Sequence, residues 1–183
     1  MRLSTRVPAQ VTQWPQRLLL TALVVVLVGL VVWGMRRGWL GRLRRQGDIP
    51  DLPAMPSGGS VLLGPFPGRY LATAMAENWM DRIAVHGLGV RSAVTVAVRN
   101  DGVLLARVAA PDVFIPSDRL VEVRLDRAIA GSGYEPGGVL IFQWRHGDRL
   151  LDTGVRLTRT DLHPAVASAT APLIPETVAG GLE

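Results

Sequence analysis

The chain has 183 residues, a formal net charge of +5, no cysteine, and 20 basic residues that are all arginine. The missing cysteine excludes disulfides, thiolate catalysis and Cys-ligated zinc or iron–sulfur sites. Mapping the charge also argues against nucleic-acid binding. Residues 1–45 hold eight Arg and no acid, whereas residues 46–183 hold twelve Arg against fifteen Asp and Glu, a net of −3. The later part has no basic excess to neutralise phosphates, so no nucleic-acid partner is expected.

Residues 1–17 form a short polar lead. Residues 18–35, LLLTALVVVLVGLVVWGM, contain no charge and are bounded by Arg17 and by Arg36-Arg37. A helix of this length spans about 27 Å, close to the roughly 30 Å hydrocarbon core of a bilayer. It is apolar all round, which suits lipid and predicts a transmembrane helix. A cleavable signal peptide would have a shorter apolar core ending in small residues. Here the run closes on Trp33-Gly34-Met35-Arg36-Arg37, which favours an uncleaved anchor. Trp14, Trp33 and Trp39 bracket it at aromatic-belt positions.

The anchor flanks are Arg17, Trp33, Arg36, Arg37, Arg42, Arg44 and Arg45. More Arg follow the span than precede it, so the positive-inside rule predicts a single-pass protein of the cell membrane, its N-terminus outside and its C-terminal domain cytoplasmic. The trailing Arg read first as a topology signal. Contact with anionic headgroups, at about 1 kcal/mol each, is the alternative.

Residues 36–68 read as a basic flank and linker. Five prolines (Pro50, Pro53, Pro56, Pro65, Pro67) and Ser57-Gly58-Gly59-Ser60 oppose regular ladders. As an extended spacer at about 3.1 Å per residue, it would hold a domain tens of ångströms off the membrane. About 115 to 135 residues then remain outside the anchor and its flanks, enough for one domain.

Residues 69–172 read as that domain. Residues 70–75 predict a strand, and residues 77–85 a short helix from the i,i+4 pairs Trp79/Ile83 and Met80/Ala84. Residues 92–99 alternate strictly, with Val94, Val96 and Val98 on one face. Asn100-Asp101-Gly102 predicts a hairpin turn into a return strand over 103–108. Further strands are predicted over 112–115, 120–126, 139–145 and 150–157, with a glycine-rich loop over 129–138. A short Ala-rich helix and a flexible tail over 173–183 close the chain. About seven short meandering strands favour an antiparallel barrel or sandwich.

No constellation carries chemistry. His86, His146 and His163 lack metal-ligand spacing. Gly87-Leu88-Gly89-Val90-Arg91 lacks the third glycine and the following helix of a phosphate loop. No Gly-x-Ser-x-Gly elbow is present. Asp126, Glu135, Asp148 and Asp152 read as solvated strand-face acids, and Trp79 and Trp144 as core. No catalytic, cofactor-binding or metal-binding residue is assigned, and no cofactor is expected.

Several blocks resemble the actinobacterial single-span membrane proteins that carry a PH-like (pleckstrin-homology-like) domain. They are Asn78-Trp79-Met80-Asp81-Arg82-Ile83, His86-Gly87-Leu88-Gly89-Val90-Arg91-Ser92, Asp101-Gly102-Val103-Leu104, Val113-Phe114-Ile115-Pro116, Glu135-Pro136-Gly137-Gly138 and Leu151-Asp152-Thr153-Gly154. The chain departs from the pattern at Ser132, where a basic residue often stands, and at Val155, where an aromatic often stands.

The resemblance implies a mainly β fold: a PH-like seven-stranded antiparallel barrel with a C-terminal helix, behind one N-terminal transmembrane helix. It implies no established activity. The expected function is a membrane-anchored interaction or scaffold module, not an enzyme, with the lipid bilayer and an unknown protein partner or lipid headgroup as its contacts. The alternative is an accessory subunit of a transport or envelope-assembly complex. A single span encloses no transport path of its own.

Overall fold

The computed structural model describes residues 14–45 and 49–176, with side chains for residues 14–38 and 49–176 except Trp79. The chain divides at Arg44 and Arg45 into two compact units.

The described residues of the first unit lie in one helix, α1 (Trp14–Arg45). It outruns the expected 18–35 span at both ends. Pro15 lies in the first turn, where its missing N–H costs nothing, and the trailing Arg residues are good helix formers. Residues Trp14–Gly38 are long and apolar enough to be a membrane anchor or a signal sequence, and none of that stretch is buried within the protein.

The second unit is a sheet rolled around one core. Its strands are β1 (Val61–Met75), β2 (Asn78–Arg82), β3 (Ser92–Arg99), β4 (Gly102–Arg107), β5 (Val113–Pro116), β6 (Leu120–Asp126), β7 (Ala128–Ile129), β8 (Ser132–Gly133), β9 (Val139–His146) and β10 (Arg149–Leu157). Seven follow the antiparallel path β5-β4-β3-β1-β10-β9-β6. The long strand β1 joins the halves: its first part pairs with β3 and its second with β10. After β10 the chain enters α2 (His163–Thr170). The seven-stranded antiparallel fold with a C-terminal helix is the one the resemblance implies.

The alternating faces predicted from sequence pack inward. Val94, Val96, Val98, Val103, Leu105, Leu140, Phe142, Trp144, Leu151 and Val155 meet in one core. In α2, Val166 and Thr170 are buried one turn apart, and the Thr170 hydroxyl donates to the Val166 carbonyl. His163 anchors the helix. Its Nδ1–H donates to the Gly137 carbonyl at 2.8 Å, and its Nε2 accepts the Leu157 N–H at 3.0 Å. That pair of contacts fixes the tautomer.

Through this core runs a chain of hydrogen bonds. The Trp144 indole N–H donates to Thr153 Oγ1, Thr153 Oγ1 meets Thr73 Oγ1, Thr73 Oγ1 meets the Tyr70 hydroxyl, and Tyr70 donates to the Leu88 carbonyl. An indole can only donate and a carbonyl can only accept. The two intermediate hydroxyl protons must therefore point from Thr153 to Thr73 and from Thr73 to Tyr70. Each hydroxyl gives one bond and takes one. Burial pushes the Tyr70 phenol up to about 12, against the pull of the Thr73 bond.

Three sequence expectations are corrected. The first is the linker over 36–68. Residues 61–68 are part of β1, paired with β3 from Val61 onward. The prolines are tolerated because neither owes the ladder an N–H. Pro65 falls where the register shifts between Leu63 and Phe66, and Pro67 contributes its carbonyl, which accepts the Thr158 N–H.

The second is the helix over 77–85. That stretch is β2, turned back against the end of β1, followed by a 3-10 turn at Val85–Gly87. The Ile83 N–H goes to the Thr73 carbonyl, Ile83 is buried and Met80 is 65% exposed. The i,i+4 spacing was a coincidence overridden by strand pairing.

The third is the glycine-rich loop, which contains the hairpin β7–β8. Ala130 and Gly131 turn it, both at positive φ. It places Ile129 in a second cluster with Leu71, Val139 and Ile141.

Ile129 explains one glycine. A Cβ on Gly154 would lie 2.5 Å from Ile129 Cδ1 and 3.0 Å from its Cγ2. Gly154→Ala is expected to lower stability by about 1–3 kcal/mol through overpacking, and Ile129→Ala in the same chain to restore part of it. Thr153→Val leaves the Trp144 N–H buried and unpaired and is expected to cost about 1–3 kcal/mol. Urea unfolding of the full chain in detergent measures both.

Candidate binding surface

Loops at one end of the sheet are held by Arg107, the last residue of β4. Its guanidinium donates to Ser92 Oγ and to the carbonyls of Pro111, Gly87 and Val90, and lies 3.9 Å from the Tyr70 ring centroid. Its backbone N–H donates to Asp112 Oδ1. One planar fork thus ties residues 87–92 to the turn after β4. Burial draws the Arg107 pKa down from its ordinary value, with Tyr70 and Asp112 opposing. The loops present Val90 and Val108, 53% and 66% exposed. Gly87 and Ala109 both take positive φ.

Two histidines act on the chain just before β1. His86, in the 3-10 turn, donates Nε2–H to the Ile49 carbonyl at 2.9 Å, and its Nδ1 lies 3.6 Å from Asp51 Oδ1. His146, at the end of β9, donates Nε2–H to the Pro50 carbonyl at 2.9 Å. Its Nδ1 is buried with no hydrogen-bond partner. Ile49 is 4% exposed and joins the main core, with Leu52 packed against it. A cleft of about 450 Å³ opens beside them, lined by Pro50, Asp51, Asp118, Arg119, Arg145 and His146 among others.

The outer face of the β10-β9-β6 side carries an ionic cluster. Arg124 pairs with Asp152 and approaches Glu122 and Asp126. Asp152 Oδ1 also accepts from the Gln143 amide. The group lines a cleft of about 260 Å³ walled by Ala74, Ala128, Ile129 and Ile141. By sequence, Asp126 and Asp152 read as solvated strand-face acids with no fixed separation. In the fold they share one arginine, and Asp152 is 4% exposed. Alternation in β6, with Arg124 between Glu122 and Asp126, was the available signal; the partner on β10 was not readable. Glu135 pairs with Arg156 at 2.6 Å, and that bond holds its carboxyl below the usual range.

The remaining sequence candidates separate. Arg17, Trp33, Arg36 and Arg37 lie on α1, and the Arg37 guanidinium lies 5.4 Å from the Trp33 ring centroid. Arg42, Arg44 and Arg45 are on the same helix, but their side chains fall outside the described residues. Trp144 is fully buried in the core, while the Trp79 side chain lies outside the described set. The Ser132 hydroxyl accepts from Arg91. Among the described residues no three His, Asp or Glu gather so as to hold a metal ion.

Arg107→Lys tests the loop clamp. It keeps the charge but loses the fork, so stability is expected to fall by about 2–3 kcal/mol. Hydrogen exchange at the amides of residues 87–91 should quicken more than at those of β9.

Comparison with curated proteins finds no match. The family described as bacterial PH domain-like matches residues 46–171, more than half of the chain. Those residues include the rolled sheet, its loop clamp and α2, and the chain belongs to the bacterial PH domain-like family.

Proposed function

We propose that this chain is a non-enzymatic interaction module tethered to the cell membrane by one retained helix, with its PH-like domain on the cytoplasmic side. The PH-like fold suggests a binding module. The observation that carries the membrane reading is α1. Its large apolar side chains from Trp14 to Met35 are 48–70% exposed. Leaving such a side chain in water costs about 1.5–3 kcal/mol relative to burial. Over the whole run the cost reaches tens of kcal/mol, against a net domain stability of about 5–15 kcal/mol. Water does not support that, and lipid does. Retention is supported by the length of the apolar run and by the bulky, basic residues that close it. Orientation is supported by the greater Arg count after the span.

The anchor raises the local concentration of the domain at the membrane, so that a weak contact at its loops or open strand edges becomes effective. The exposed Val90 and Val108 on clamped loops suit such a contact.

The test uses the full chain with a C-terminal topology reporter and photo-crosslinkers at Val90 and Val108. Expected are full-length mass in the membrane fraction after alkaline extraction, a cytoplasmic reporter signal, and discrete adducts absent from an anchor-only control. A shortened soluble product, a reporter signal from the outer side, or no adduct above the control would each count against the corresponding part.

A further inference from the structure

We infer that residues 49–53 form a strap latched onto the β domain by His86 and His146, and that protonation of His146 opens the latch. The strap contributes little regular structure, yet it is docked. Ile49 enters the core, and consecutive carbonyls, those of Ile49 and Pro50, each take one imidazole N–H at 2.9 Å. The two imidazoles come from different elements, the 3-10 turn and the end of β9. His86 takes φ +53, a region that a non-glycine residue occupies at some cost when its surroundings require it. A Cβ on Gly147 would lie 3.2 Å from the Pro50 ring, so the turn leaves room for the strap.

The two imidazoles differ in what their Nδ1 atoms meet. His86 Nδ1 lies 3.6 Å from Asp51 Oδ1. His146 Nδ1 is enclosed without a partner, beside Trp144 with ring centroids 5.0 Å apart. A proton on that nitrogen would be a buried, charged donor without an acceptor. Opening the strap gives it water. The charged groups of the cleft beside the ring are Asp118 and Arg119 from the Ser117–Arg119 turn, Asp51 from the strap and Arg145 from β9; His86 acts on it from its own turn, and Arg149 is its register partner on β10.

Burial holds His146 below the ordinary imidazole range, with Arg119 and His86 acting the same way and the Pro50 bond opposing. A depressed value for a base means that the docked state binds fewer protons than the open one. Docking is therefore complete above about pH 6.5 and weakens as pH falls below it toward the docked value. Release frees the strap only as far as residue 55, because the Pro56 carbonyl accepts an Arg99 N–H at 3.1 Å and Ser60 is bonded to Asn100. The latch stands on the domain alone, whatever surrounds α1.

The chain has no native cysteine, so Pro53→Cys, within the strap, and Val108→Cys can carry a unique spin-label pair on the full-length protein in detergent. Double electron–electron resonance is expected to give one narrow distance at pH 7.5. Below about pH 6.5 a broad, longer distribution should replace it and reverse on neutralisation. His146→Gln keeps an N–H donor for the Pro50 carbonyl but does not titrate, so it should stay narrow at both pH values. His86→Gln keeps an N–H donor for the Ile49 carbonyl and should give the same narrow distance at pH 7.5; a broad one there overturns the inference. A wild-type distance that stays narrow at pH 5 overturns the inference, as does acid release in His146→Gln. Loss of the far-ultraviolet strand signal over the same range would also overturn it, because the strap would only be following the domain. If His146→Gln does not fold, the wild-type titration and its strand signal still decide.

Discussion

The fold depends on the hydrogen-bonded relay from Trp144 to the Leu88 carbonyl. A rolled sheet with an aromatic core has to bury polar atoms at its centre, and each buried atom left unpaired costs about 1–3 kcal/mol. Here β9, β10 and the loop after the 3-10 turn each contribute one member and β1 contributes two, Tyr70 and Thr73. With both ends fixed as donor and acceptor, every intermediate hydroxyl is satisfied in one direction only. The relay therefore sets registers between strands as well as filling space. It also positions Leu88, whose carbonyl accepts from the Thr73 N–H too. Arg107 then stacks on the Tyr70 ring and fixes the rest of that loop. Core and rim are thus one construction, joined at Tyr70.

The blocks that carried the family resemblance gain physical roles from this frame. In Leu151-Asp152-Thr153-Gly154, successive residues alternate across β10. Leu151 enters the main core, Asp152 pairs with Arg124 on the outer face, Thr153 joins the relay, and Gly154 leaves room for Ile129. In Glu135-Pro136-Gly137-Gly138, two carbonyls and a carboxylate receive His163 and Arg156, which tie the loop to α2 and β10. The blocks organise packing, consistent with a family defined by a binding fold.

Strands β3 and β4 were legible because one face of each fills the main core, which imposes period-two alternation; β5 and β9, buried on both faces, read as short apolar runs between turn signals. The first half of β1 was not. Its prolines speak against a ladder locally, and only the pairing shows that one lies at a register shift and the other needs only its carbonyl. For β2, a chance helical spacing outweighed a pairing that no local pattern announces. The long-range ion pair of Arg124 with Asp152 joins residues 28 apart, and the latch joins residues 37 and 96 apart. The latch was invisible for a further reason: its acceptors are backbone carbonyls, and every residue has one. Histidines examined for spacing to one another carry no signal when their partners are peptide groups.

That last point changes how the proline-rich stretch should be read. Prolines at 50 and 53 suggest an extended spacer, and extension is correct as local conformation. An extended segment, however, is also the form in which consecutive carbonyls are free to be taken by side chains from elsewhere. Pro50 lies in no strand, so its carbonyl can be engaged without competition from a ladder. Composition therefore fixes the stiffness of the stretch but leaves open whether it is free or docked. Docking is decided by Ile49, an apolar residue placed where a spacer would be polar, and by two imidazoles brought to it by the fold. Ile49 ties the strap to the core of the domain, and in the proposed latch His146 makes that tie dependent on pH.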